Sequence, residues 1–143
     1  MKFFNTALLA SLMLLPMGAA MASEGDAPSM EIELQEPGGD ITIAKLVSNV
    51  DGFVVAHAVD DEGTPLKKAI GHTQIEKGTQ ERIGIVLDRD MESGEKIVVM
   101  LHKDTGEKGE YEYGPDNTDV DEPVMVDGKP FTKSFQVSWT GDH

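Results

Sequence analysis

Two short runs constrain this chain more than any other feature. Phe53-Val54-Val55-Ala56-His57-Ala58-Val59 and Lys96-Ile97-Val98-Val99-Met100-Leu101-His102 are apolar at consecutive positions, not only at alternate ones. Neighbouring side chains on a strand point to opposite faces, so a run of this kind suits a central strand covered on both sides. Elsewhere the pattern has period two, the signature of half-buried strands. Met30, Ile32 and Leu34 alternate with Glu31, Glu33 and Gln35. Ile83, Ile85 and Leu87 fall on one face, and Phe131, Phe135, Val137 and Trp139 share a parity against Thr132, Ser134, Gln136 and Ser138. Further β-like runs lie at 41–50, 67–71 and 71–78. Turn signals separate them at 36–40, 49–52, 60–65 and 77–78, while 88–94 reads as a turn or a single helical turn. No stretch after residue 22 has helical periodicity, and there is no internal repeat. The expected fold is an all-β, antiparallel β-sandwich of about seven strands, immunoglobulin-like or cupredoxin-like, with a closed barrel as its main rival. It occupies residues 30–140, behind a loose tail at 23–29.

The first 22 residues read as an export signal. Met1-Lys2 is followed by the apolar run Ala7-Leu8-Leu9-Ala10-Ser11-Leu12-Met13-Leu14-Leu15, broken by Pro16 and Gly18. That run is too short for a stable span. Ala20-Met21-Ala22 then sets small residues where signal peptidase requires them, so cleavage is expected after Ala22. An uncleaved anchor is the alternative. The absence of cysteine excludes a lipoprotein-type anchor, and no later segment is apolar enough to cross a membrane. The expected destination is the periplasm or the medium.

Removing 22 of the 143 residues leaves 121, the size of one domain. The signal holds one of the 12 basic residues and none of the 26 acidic ones, so processing takes the net charge from −14 to −15. Such a charge opposes contact with nucleic acid or anionic lipid and leaves room for cations or a basic partner. A solubilising or salt-tolerant surface has the same composition. With no cysteine, a disulfide framework, a thiol nucleophile, a cysteine zinc site and a cysteine-linked haem are all excluded.

Asp51-Gly52-Phe53-Val54-Val55-Ala56-His57 is followed by Val99-Met100-Leu101-His102-Lys103-Asp104, then by Gly109-Glu110-Tyr111, Asp121-Glu122-Pro123 and Val126-Asp127-Gly128, before a closing strand with Phe135-Gln136-Val137. Over roughly residues 40–138 this resembles the exported domain of unknown function 7282 of archaea and bacteria. The resemblance implies a secreted or surface β-sandwich and carries no catalytic or ligand role. Members often have an Asp-Thr-Asn-Gly-like loop after the histidine; here it reads Asp104-Thr105-Gly106-Glu107-Lys108-Gly109, with fewer carboxylates.

Two groups of residues are candidate metal ligands. His57 and His102 end probable neighbours among the central strands, and Met100 shares a face with His102. Imidazole with thioether is a donor set for copper, and Met91 or Met125 would supply a further sulfur. A type-one copper site is excluded without cysteine. The alternative is that both histidines bond to backbone or loop carboxylates while Met100 fills core. Calcium is the second candidate, in the acidic loops: Asp104 and Glu107, then Asp116, Asp119 and Asp121. Gly106 and Lys108 stand where that loop type needs oxygen ligands, and a solvated hairpin loop is the alternative.

No nucleophile elbow, zincin helix or phosphate loop occurs. Tyr111 and Tyr113 are read as pinning the 103–123 loop to the sheet, with a small recognition surface as the alternative. His72 and His143 suggest no site. The functional expectation is an exported, non-catalytic binding or interaction module engaging a protein or surface partner. Its alternative is a periplasmic metal-binding protein, with calcium or copper as the cofactor.

Overall fold

The computed structural model describes residues 27–139. The export signal, the start of the tail up to residue 26 and residues 140–143 lie outside the described residues. The strands form where the alternation places them. In the first sheet β1 (Ser29–Ile32) pairs with β2 (Gly38–Ser48), and β2 with β5 (Gly78–Met91). The second sheet runs in the order β4 (Pro65–Ile75), β3 (Gly52–Val59), β6 (Lys96–Lys103) and β9 (Thr132–Gln136). A ribbon of β7 (Met125–Val126) and β8 (Lys129–Pro130) precedes the last strand. Every pairing is antiparallel. The fold is therefore the antiparallel sandwich expected, with seven strands in its two main sheets. The fourth strand joins the sheet of β3 and β6, where a constant-type immunoglobulin domain would place it beside β5.

Between the sheets lies a core of branched aliphatic side chains. Ile41, Ile43 and Ile85 from the first sheet meet Val54, Ile97, Val99 and Leu101 from the second, all fully buried. Polar punctuation sets the strand ends. After β3, Asp60 Oδ1 accepts the amide protons of Glu62 and Thr64, both at 2.9 Å, while Gly63 takes the left-handed φ of +85° that closes the turn. The β4–β5 connection carries the chain from one sheet to the other. There the two strands lie so close that a Cβ on Gly71 would sit 2.5 Å from the Val86 carbonyl oxygen and 2.9 Å from Leu87 Cδ2.

Several local expectations are corrected. Leu34 is 61% exposed, because β1 ends at Ile32 and the alternation no longer sets a face beyond it. The two short runs around Gly71 form one continuous strand, β4, and β5 continues through Met91, so 88–91 is strand and not a helical turn. Trp139 follows the end of β9 and is 59% exposed, whereas Val137 is buried. Segment 104–124 contains no strand of its own beyond an isolated bridge between Gly114 and Asn117 and the attachment of Pro123 to His102.

The close approach at Gly71 generates a paired test. Gly71→Ala should lower stability by about 1–3 kcal/mol through overpacking. Gly84→Ala, where an added Cβ meets nothing within 4 Å, should leave stability unchanged or raise it by about 0.4–1 kcal/mol. Urea unfolding of both variants checks this, and equal midpoints would refute the packing account.

Candidate functional site

The two central strands of the second sheet, β3 and β6, are buried on both faces, and their outer face holds the candidate site. β3 and β6 pair with Phe53 opposite His102, Val55 opposite Met100 and His57 opposite Val98. Residues opposite one another share a face, and these six alternate with the core-facing Val54, Ala56, Ile97, Val99 and Leu101. All six are nonetheless buried. Their cover is the irregular segment after β6. The Tyr111 ring stands edge-on to Phe53 at 5.4 Å and to His102 at 5.3 Å, and Tyr113 lies 4.9 Å from His102. The tyrosines do press the loop onto the sheet.

Asp121 fastens that cover. Its carboxylate is fully buried and accepts three backbone amides: Thr105 at 2.7 Å and Gly106 at 3.1 Å on one oxygen, Glu112 at 2.8 Å on the other. Its own amide donates to Thr105 Oγ1 at 2.8 Å. With φ at +50°, the residue sits in the left-handed region that aspartate tolerates better than most side chains. In this pose its carbonyl oxygen accepts the Nδ1 proton of His102 at 2.7 Å.

His57 is held in the same way from the other side. The β3–β4 register breaks on both sides of this residue, and the Leu66 carbonyl, released from the ladder, accepts the Nδ1 proton of His57 at 2.7 Å. A carbonyl oxygen only accepts, so Nδ1 carries the hydrogen in both rings and Nε2 carries the lone pair. The ring centres are 5.7 Å apart and the planes 28° from parallel. Neither Nε2 has a hydrogen-bond partner among the described residues, and both are shielded from solvent. Burial pushes His57 below its usual value of 6.5, opposed by the Leu66 and Lys68 backbone. Burial chiefly, with His57 nearby, pushes His102 down to about 4. Both imidazoles are neutral at pH 7. A cleft of about 220 Å³, bounded by His57, Leu66, Met100, Tyr113 and Pro123, opens beside the pair.

Of the candidate copper ligands, His57, Met100 and His102 thus share one buried face. Met91 packs in the core between the sheets, and Met125 is exposed on the ribbon. The candidate calcium ligands are differently disposed. Asp104 Oδ2 accepts the Gly109 amide at 2.8 Å, Asp121 faces inward onto amides, and Glu107, Asp116 and Asp119 are exposed. Among the described residues, no three histidine or acidic side chains gather where a metal ion could sit. His72, assigned to no site from the sequence, stands on the same outer face, its ring 4.9 Å from Tyr111 and 5.8 Å from Phe53. Its place opposite Val55 in the β3–β4 register is a signal that appears only once the strands are paired.

The face that carries this cluster falls within the part of the chain matched by a family model. The model for the domain of unknown function DUF7282 matches residues 28–138. The chain belongs to this family. The DUF7282 domain is also similar to cell surface glycoprotein 2 of Haloarcula hispanica, at 29% identity over 117 residues. That match takes in 80% of this chain and 12% of the glycoprotein, so the chain spans about an eighth of the curated relative. No solved structure matches the domain.

Two tests follow from the geometry. Asp121→Ala leaves three amides without their acceptor and should cost about 2–4 kcal/mol. Hydrogen exchange should then accelerate at Thr105, Gly106 and Glu112 more than in the sandwich core. The second concerns pH. Between 6.5 and about 4 the unfolded chain binds a proton at His102 that the folded chain does not, so stability falls as pH drops through that window and is unaffected above it. In metal-free buffer, about 1.5 kcal/mol should be lost between pH 6.5 and 5 through His102. His102→Gln should remove that portion, and an identical pH slope in the variant would overturn the assignment.

Proposed function

We propose that this DUF7282 domain is an exported, non-catalytic interaction module that works at the cell surface. The observation that carries the proposal is its similarity to one stretch of a protein named a cell surface glycoprotein. A domain that recurs as a fraction of a larger surface protein suits a role in holding or presenting, where the sandwich is scaffold and its exterior makes the contacts. The N-terminal sequence agrees with export.

The exterior supports the same reading. A groove along the outer face of the first sheet is lined by Glu31, Glu33, Glu36, Asp40 and Glu81, with Lys45 and Arg82 among them. The rim of the 104–122 cover adds exposed Glu107, Glu110, Asp116, Asp119 and Glu122. Surfaces of this sign attract basic partners and cations over about one Debye length. The buried histidines give their Nδ1 protons to backbone carbonyls and not to a carboxylate, an arrangement that fixes a ring without making it a general base of the triad kind.

Fractionation of the native host, with N-terminal sequencing of the recovered protein, tests the proposal. The expected result is a chain beginning at Ser23, found with the envelope and released from it by high salt. Recovery from the cytoplasm with Met1 or Lys2 at its N-terminus would overturn it.

A further inference from the structure

Buried polar atoms are almost always hydrogen-bonded, and each exception in a folded protein calls for a cause. Here two exceptions stand side by side. The Nε2 atoms of His57 and His102 have no partner among the described residues, in residues 1% and 0% exposed. Both rings are locked by backbone carbonyls in the tautomer that presents an Nε2 lone pair. Locking one ring nitrogen so that the other is free as a donor is how proteins prepare a histidine for a metal ion. Met100 completes the set. It lies two residues from His102 along β6, opposite Val55 and therefore one diagonal step from His57, and it borders the same cleft as His57.

We propose that His57 Nε2, His102 Nε2 and the Met100 thioether form a binding site for one soft monovalent cation, Cu(I). The spacing suits a shared ion. With metal–nitrogen bonds of about 2 Å, two imidazoles on one ion hold their ring centres about 5–6 Å apart, and these stand at 5.7 Å. Charge selects the ion. All three donors are neutral, and no carboxylate joins them among the described residues. A divalent ion in such a place keeps its whole double charge out of water, a desolvation cost that grows with the square of the charge. Softness selects it further, since thioether sulfur favours Cu(I) over zinc, calcium or magnesium. Zinc would also want a fourth ligand in tetrahedral array. The cleft bounded by His57, Met100 and Tyr113, with Lys67 at its margin, is the way in. The site goes beyond the surface role and does not depend on it.

Anaerobic titration of the purified protein against a coloured Cu(I) chelator tests this directly. One Cu(I) per chain should be retained with submicromolar affinity. X-ray absorption of the loaded protein should show two nitrogen scatterers at about 2.0 Å and one sulfur at about 2.3 Å. Met100→Leu, close in shape to the original, should lose the sulfur shell and bind at least tenfold more weakly. His57→Gln should bind at least a hundredfold more weakly, while His72→Gln, on the same face outside the set, should bind as the parent does. Failure to hold Cu(I) against the chelator, a sulfur-free shell in the parent protein, or binding indifferent to His57→Gln would each overturn the proposal. The absorption measurement needs no variant, so a misfolded substitution cannot obscure the answer. A protein found in the cytoplasm would sink the surface role and leave this result standing.

Discussion

A single buried carboxylate organises everything outside the sandwich core. Asp121 has no cationic partner among the described residues; three backbone amides from two separate stretches of the cover converge on it instead. Oriented amide donors stabilise an ionised carboxylate in a setting where an unpaired one would be prohibitive. One residue therefore folds segment 104–122 back across β3 and β6, and its own carbonyl turns to His102. Without that cover, the outer face with Phe53, Val55 and Met100 would be an exposed apolar patch. With it, the face becomes a second buried layer, which is why the two central strands can bury side chains on both faces.

This also explains which parts of the architecture are legible in the sequence. Consecutive apolar residues in 53–59 and 96–102 announce strands covered on both sides, and they are: β3 and β6 lie at the centre of their sheet. What covers the second side is not legible. The 104–122 segment has no periodicity, and its fastening links residues 9 to 19 positions apart through side chain to backbone. Spacing carries no trace of contacts like these. Asp121 in particular reads as one more acid in the run Asp116 to Asp121, and its removal from solvent is a tertiary event. The same limit explains Leu34 and Trp139. Alternation assigns each to a buried face, but the strand ends before it reaches them, and parity has no meaning past the last ladder bond.

The histidine cluster divides the same way. Strand parity puts Met100 and His102 on one face, and pairing of neighbouring central strands brings His57 to it. That much follows from period two alone. The choice between a ligand histidine and one satisfied by its surroundings turns on the second ring nitrogen, which no sequence pattern reports. The structure meets half of each description. Backbone carbonyls take both Nδ1 protons, as expected of structural histidines, while both Nε2 atoms remain unpartnered, as expected of ligands.

Charge separation within the cover gives that half-satisfied pair its chemical character. The acids of segment 104–122 fall into two populations: those that accept backbone amides, Asp104, Glu112 and Asp121, and those facing solvent, such as Glu107, Asp116 and Asp119. None of them reaches the imidazoles as a third donor. Apart from the carboxylates bound by backbone amides, the acids of the cover face solvent, and the donors on the sheet beneath are neutral nitrogen and sulfur. Oxygen-rich surfaces bind hard cations weakly and exchange them freely, whereas neutral soft donors in a low dielectric hold an ion only if its charge is small and its shell polarisable. Retention therefore rests with the neutral layer and not with the surface acids. Burial accounts for the depressed basicity of His57 and His102: a proton at Nε2 would bring a full charge into that layer, and at His102 the nearby Asp121 charge offsets this only in part.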